Sequence, residues 1–383
     1  MNLMLVCGEP SGDLLGGQLM SGLKVVTGGN VEFTGVGGSA MEAQGLNSLF
    51  PLDATAVMGL REVVPKIPAI LARVREACDF ALATRPDAVV LIDSPDFTHR
   101  IAQRLKRFDR TIPTINYVAP QVWASRAYRA RKMARYFDLV LALLPFEAPF
   151  FERYGLRSVF VGHPVVERVA KICGGAEFRA RRAIGADIPL LALLPGSRTN
   201  EIRFILPVFR EAVAKIAARV PGLVTVLPTI PHVAARVHAG TANWPTPLHI
   251  VEGEDEKFAA FNAADAALAA SGTVTTELAL ARKPMVVGYK AGGLTYALAS
   301  LVMNVRYITL VNILLDREAV PEFLQSRCTS DNLADAVVRL FNDRNAVGHE
   351  LADLDEATRL LGKGGEAPSI RAARAIIDFV RGA

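Results

Sequence analysis

Three strand-to-helix turns in this 383-residue chain carry residue types that can hold an anion and move a proton. The first is Gly8-Glu-Pro-Ser-Gly12-Asp13, which breaks the apolar run Leu3–Cys7 and opens a helix near Ser11 to Asp13. Glycine at such a junction lets backbone N–H groups approach an anion, and a helix N-terminus adds about half a positive charge. The spacing is neither a Walker A loop nor Gly-x-Gly-x-x-Gly, and it sets a carboxylate, Glu9, inside the turn. The second turn, Gly196-Ser197-Arg198, follows Leu190–Leu194 and adds a guanidinium. The third, Ser271-Gly272-Thr273, is followed by Glu277 one helical turn later.

The elements that must present these turns alternate along the whole chain. Strand candidates run from Leu3–Cys7 to Ser158–Val161, and again from Leu190–Leu194 to Tyr307–Thr309, with helical patterns such as Ile67–Thr84 and Phe204–Arg219 between them. Short apolar strands separated by helices predict parallel sheets covered on both faces, with sites at the carboxyl ends of the strands. A lapse in the strand rhythm over Val165–Asp187 predicts the boundary. The expected division is residues 1–170, residues 185–345, and a helical segment 346–383 returning to the first domain. Gly35-Val-Gly37-Gly-Ser-Ala40 satisfies a dinucleotide fingerprint, with Asp53 at a plausible distance for a ribose. Its helix is cut short at Gly45, so the motif reads as a tight structural turn.

Composition fits this picture. The chain is too long for one ordinary core, is 51% hydrophobic and 21% charged, and carries a net charge of +5. That balance suits an anionic ligand or membrane surface. Cys7, Cys78, Cys173 and Cys328 have no CxxC spacing and predict free thiols in a reducing compartment. A strand begins almost at once, so no signal peptide is expected. The longest uncharged apolar run, Ala291–Asn304, is shorter than the roughly 20 residues a bilayer span needs. Neither an Asp-x-Asp pair in a donor loop nor a His/Cys cluster predicts a metal, and no cofactor is expected.

The chain resembles the lipid-A-disaccharide synthase family over nearly its whole length. The resemblance rests on Gly8-Glu-Pro-Ser-Gly-Asp13, Ala56-Val-Met-Gly59, Ile92-Asp-Ser-Pro-Asp-Phe97, Tyr117-Val-Ala-Pro-Gln-Val-Trp123 and Leu144-Pro-Phe-Glu147. Val161-Gly-His-Pro164, Leu194-Pro-Gly-Ser-Arg198, Ala270-Ser-Gly-Thr273 and Val311-Asn-Ile-Leu314 complete it. It implies an α/β protein of the GT-B fold, with two Rossmann-like domains, parallel sheets facing a cleft, and a C-terminal helix back on the first. The implied reaction transfers 2,3-diacylglucosamine from UDP to the 6-hydroxyl of lipid X, giving the β-1,6 disaccharide and UDP. Pro10 stands where the family usually has alanine, and the stretch after Trp123 is less aromatic than usual.

Under that resemblance the residues take roles. Gly196, Ser197 and Arg198 offer a helix N-terminus and a guanidinium to a leaving diphosphate without a metal. Ser271, Gly272, Thr273 and Asn312 join the UDP set, and Glu277 accepts from the ribose hydroxyls. Inversion at the sugar carbon needs a base for the attacking hydroxyl, and Asp93, where its strand leaves the sheet, is the first choice. Gly8, Glu9, Ser11, Gly12, Asp13 and His163 form the acceptor side, with Glu9, Asp13 and His163 as alternative bases. Asp96, after Pro95, reads as a helix N-cap.

Acylated substrates predict a peripheral contact with the cytoplasmic leaflet of a Gram-negative inner membrane. Val63, Val64, Ile67, Ile70 and Leu71, beside Lys66, Arg73 and Arg75, are the expected contact, and Arg126, Arg129, Arg131, Lys132 and Arg135 form a second basic run. Nucleic-acid binding is not expected, and homodimerisation stays open. Rival readings are another UDP-GlcNAc enzyme of the same fold, an epimerase or a peptidoglycan-precursor transferase, or a non-catalytic nucleotide-sugar or lipid-binding protein.

Overall fold

Consecutive apolar residues with no polar alternation make strands buried on both faces, and that is how β1 (Asn2–Cys7), β4 (Ala88–Ile92) and β8 (Leu190–Leu194) lie in a computed structural model of the chain. It describes residues 1–54, 60–121, 128–169, 174–290, 292 and 306–382, with backbone alone at 54 and 60–66. Two compact units result: Met1–Pro164 with Gly364–Ala383, and Val165–Lys363.

In the first unit, β2 (Glu32–Val36), β3 (Asn47–Ser48), β5 (Thr114–Tyr117), β6 (Leu139–Ala142) and β7 (Ser158–Phe160) complete a seven-stranded sheet of order β3-β2-β1-β4-β5-β6-β7. Every described pairing is parallel. Alternate residues divide the core. Met4, Val6, Val89 and Leu91 meet helices Leu60–Thr84 and Pro95–Phe108 through Val74, Ala77, Ile101 and Leu105. Leu3, Leu5, Val90 and Ile92 face the opposite way, toward Leu19 and Leu23 of helix Pro10–Thr27 and Ile376 and Ile377 of helix Pro368–Arg381. The two helices approach so closely that a Cβ on Gly22 would lie 2.6 Å from the Ser369 carbonyl oxygen, which is why glycine stands there.

The second unit repeats the plan. β9 (Val224–Thr229), β10 (Leu248–Glu252), β11 (Ala266–Ala269), β12 (Met285–Tyr289) and β13 (Glu322–Leu324) join β8 in the order β10-β9-β8-β11-β12-β13, again parallel. Leu191 and Leu193 pack on Ile205, Phe209 and Val213 of helix Thr199–Ala217, while Leu190, Ala192 and Leu194 face Phe258, Phe261, Leu278 and Leu354. The fold class is the one expected, α/β with two Rossmann-like sheets.

The boundaries differ from expectation. The first unit ends at Pro164, and the returning segment starts at Gly364, so helix Arg344–Leu360 belongs to the second unit. Its Leu354 and Ala357 sit in that unit's core, and its Glu350 accepts from the Met285 N–H of β12 at 2.6 Å. Tyr307–Thr309 is not a strand: the Ile308 and Thr309 N–H groups donate to the Glu322 side chain instead of a neighbouring strand. The sixth strand is β13, carrying that glutamate. Cys7, Cys78 and Cys328 are buried free thiols, and Cys173 lies outside the described residues, as does the apolar run 291–304 apart from residue 292. Among the described residues no helix is long and apolar enough to cross a membrane.

Burial raises the Glu350 carboxyl from its ordinary 4.5 to about 8, with Asp353 adding to the shift and the Met285 bond opposing it. A carboxyl whose pKa rises on folding takes up a proton as the chain folds, so its contribution to stability declines as pH climbs from 4.5 to about 8. Glu350→Gln keeps an acceptor for Met285 and removes the charge. Its urea midpoint relative to wild type should therefore climb with pH across that window; a constant difference between pH 5 and pH 8.5 would refute the assignment.

Candidate active-site residues

Strand order reverses once in each sheet, between β1 and β4 and between β8 and β11, and at such a switch point the outgoing loops diverge to leave a crevice. The turns singled out above leave from these points. In the second unit, Gly196, Ser197, Arg198, Ser271, Gly272, Thr273 and Glu277 line one cavity of about 500 Å³, together with Glu201, Thr229, Glu254 and Lys257.

The two turns in this cavity are not equivalent. Glu201 Oε2 accepts from the Ser197 and Arg198 N–H groups at 2.9 and 3.1 Å, so a carboxylate of the chain occupies the amides expected to cradle phosphate. Gly196 adopts φ 112°, and a Cβ there would come within 2.4 Å of Glu201 Oε2; the glycine makes room for that carboxylate. The Arg198 side chain is 81% exposed and lies 3.3 Å from Glu201 Oε1, an arrangement a bound anion can redirect at little cost. At the third turn, Gly272 caps helix Thr273–Leu280 without a side-chain hydrogen bond. Gly272, Thr273 and Val274 at its N-terminus line the cavity, and a helix N-terminus suits an anion.

Glu277 is only 4% exposed. Lys257 Nζ donates to both its oxygens, at 3.1 and 3.0 Å, and Arg168 Nη2 lies 3.3 Å from Oε1 while also pairing with Glu254. Lys257 and Arg168 were missed in the sequence; no spacing marks them, because they reach Glu277 from other helices. Asn312 does not line the cavity. Its amide donates to Val320 O and Glu322 Oε1, and its oxygen accepts from the Ala319 and Val320 N–H groups. That spends the side chain's hydrogen-bonding capacity, so Asn312 shapes its loop rather than contacting UDP.

In the first unit, Asp93 (φ 53°) and Ser94 (φ 43°) stand consecutively in the left-handed region at the end of β4. Such backbone costs about 1 kcal/mol or more per residue and marks a turn held open by its surroundings. Thr98 Oγ1 donates to both carbonyls of this turn, and Asp93 Oδ2 accepts from Ser11 Oγ at 3.2 Å. Glu9, extended at the head of helix Pro10–Thr27, has its carboxyl raised above 4.5, first by burial and then by the charges of Asp93 and Asp96. Gly8, Glu9, Ser94, Asp96 and Arg100 line a cavity of about 310 Å³ together with Ile67, Ile70 and Leu71.

Three further residues singled out in the sequence are placed as follows. Asp13 is buried and accepts from the Gly38, Ala40 and Met41 N–H groups at 2.7, 3.0 and 3.1 Å. It fills the turn of the Gly35–Ala40 motif, a structural task; Asp53 lies in the short helix Leu52–Ala54 beyond it. His163 follows β7, the outermost strand, and, like Asp93, is not among the residues lining the Glu9 cavity. Arg73, partly exposed, pairs with Glu76 at 2.6 Å and lies 4.8 Å over the Phe50 ring. The side chains of Val63, Val64 and Lys66 and residue Arg126 lie outside the described residues. No group of three or more His, Cys, Asp or Glu side chains placed to hold a metal occurs among the described residues.

The family model for lipid-A-disaccharide synthetase matches residues 3–368. A lipid-A-disaccharide synthase of Rhodospirillum centenum is 48% identical over 378 residues, covering 99% of this chain and 94% of the relative. Among solved structures, a UDP-GlcNAc 2-epimerase from Neisseria meningitidis superposes with TM-score 0.62 at 12% identity, covering 100% of both chains. MurG of Acinetobacter baumannii gives 0.57 at 16%, covering 100% of this chain and 99% of that one.

Asp13→Asn places an amide N–H₂ against backbone donors and removes the charge they bind. Stability should fall by about 2–3 kcal/mol, read from chemical denaturation. An unchanged stability with lost activity would return Asp13 to the reacting groups.

Proposed function

The chain belongs to the lipid-A-disaccharide synthase family and is a glycosyltransferase of lipid A biosynthesis; we propose how its residues divide the work. The donor, UDP-2,3-diacylglucosamine, binds in the second unit. Its ribose is held by Glu277, and its diphosphate by the N-terminus of helix Thr273–Leu280 with the Arg198 guanidinium drawn away from Glu201. These groups stabilise the charge that develops on UDP as it leaves, without a metal. The acceptor, lipid X, binds in the first unit, where Glu9 and Asp96 face its hydroxyls and Ile67, Ile70 and Leu71 face an acyl chain. Asp93 removes the proton of the 6-hydroxyl as that oxygen attacks C1 and the C1–O bond to UDP breaks, with inversion.

The observation that supports this reading is the Asp93–Ser94 turn at the switch point of the first sheet, where consecutive left-handed residues hold a carboxylate next to Ser94, which lines the acceptor cavity. Glu9 is the second candidate, because it lines the cavity and its raised pKa suits proton uptake. Asp93→Asn should lower turnover roughly 100-fold with UDP affinity and melting temperature unchanged, in an assay of UDP release dependent on lipid X. Glu9→Gln should lose less. If the two variants exchange these losses, the base is Glu9.

Both substrates are lipids, so the enzyme works at the cytoplasmic leaflet of the inner membrane as a peripheral protein. Replacing Ile67, Ile70 and Leu71 with serine should raise the KM for acylated acceptor and reduce binding to anionic liposomes, while UDP affinity stays constant. Ile67 is 44% exposed and the other two half-buried, so the fold should tolerate the change. An unaltered KM would remove these side chains from the lipid path.

A further inference from the structure

We propose that Lys257 is a positioning residue for the donor: it holds the Glu277 carboxylate so that one lone pair on each oxygen stays free for a vicinal diol. The inference rests on the reading of Glu277 as the ribose ligand.

Lys257 sits in helix Glu254–Ala263, and its ammonium forks across Glu277, 3.1 Å from Oε1 and 3.0 Å from Oε2. An ionised carboxylate offers about four acceptor positions, two on each oxygen. Symmetric donation from one ammonium takes one position per oxygen and leaves one on each, the arrangement that two adjacent hydroxyls require. Arg168 approaches only Oε1, at 3.3 Å, as an ion pair: its Nη2 hydrogen-bonds Glu254 and makes no hydrogen bond to Glu277, so the second position on Oε1 is not taken, and by itself it would pull the carboxylate to one side. Lys257 is in turn fixed: its Nζ lies 4.3 Å over the Phe258 ring, a cation–π contact that limits its swing. Glu277 is buried at the cavity wall, where an unpaired carboxylate would be costly and free to rotate toward whichever cation remained. Lys257 therefore supplies charge compensation and orientation together. The same lysine lines the cavity, and the rival role for it is direct contact with the diphosphate.

Calorimetric titration of the full chain with UDP and with 2′-deoxy-UDP separates these roles. Wild type should prefer UDP roughly tenfold or more, the worth of one charge-assisted hydrogen bond. Glu277→Ala should abolish that preference. Lys257→Ala should lower it at least several-fold while leaving 2′-deoxy-UDP affinity close to wild type, and Lys257→Arg should restore most of it. Lys257→Met, which keeps the aliphatic stem on Phe258, gives the same readout should the alanine variant lose stability. Equal weakening of both nucleotides in the Lys257 variants would mean phosphate contact and overturn the proposal, as would full retention of the preference. A wild type that does not discriminate, or a Glu277→Ala variant that still does, removes the ribose reading and this inference with it.

Discussion

Parallel pairing forces every strand to return to the start of its sheet through a crossover, so all strand C-termini open on one edge. Within each sheet the order runs outward in both directions from a single pair, β1 and β4 in one, β8 and β11 in the other. Only there do neighbouring loops diverge, and only there can side chains from two loops converge on a ligand without crowding the crossovers. Gly8, Glu9, Asp93 and Ser94 leave from one such point; Gly196 to Arg198 and Ser271 to Thr273 leave from the other. The chemistry is placed by the sheets, and the helices behind them serve chiefly to bury the strands on both faces.

The same geometry leaves loop amides that need acceptors, and the chain meets much of that need with its own carboxylates. Asp13 takes three N–H groups of the Gly38–Met41 turn, Glu147 takes those of Leu143 and Leu144, Glu201 those of Ser197 and Arg198, and Glu322 those of Ile308 and Thr309. A glycine-bearing turn is therefore not in itself a ligand site: its amides can be filled from within. At the Gly272 turn, as at the head of helix Pro10–Thr27 and unlike the Gly196 turn, no side chain caps the helix, so an incoming anion meets donors without first displacing a carboxylate.

Sequence made the architecture legible wherever burial is complete. Runs such as Leu3–Cys7 and Leu190–Leu194 admit few other structures, and strands and switch-point turns follow from them. It failed where a polar side chain does a strand's work. Tyr307–Thr309 has strand-like composition but gives its amides to Glu322, whereas β13 begins with that glutamate and reads as loop. Asn312 looked like a ligand because it sits in a family motif, yet its amide is consumed by the loop it organises. Lys257 and Arg168 were invisible for a different reason. Their partner is Glu277, reached from other helices, and a contact of that kind leaves no periodicity along the chain.

Fold alone would not have chosen the reaction. A 2-epimerase and MurG share the architecture at 12% and 16% identity, and an epimerase is one of the rival readings of the sequence. Membership of the lipid-A-disaccharide synthase family decides between them, at 48% identity along nearly the whole chain. The physical counterpart of that decision should lie in the first unit rather than the second. A nucleotide pocket at a switch point is common property of such folds, because any UDP-sugar presents the same uracil, ribose and diphosphate. The acceptor is what differs. An epimerase needs no second sugar, and an acceptor without acyl chains would gain nothing from an aliphatic wall beside Glu9 and Asp96. Ile67, Ile70 and Leu71 line the same cavity of about 310 Å³ as those carboxylates. In our reading, that pairing of a hydrocarbon surface with hydroxyl-binding carboxylates is where specificity for a glycolipid resides.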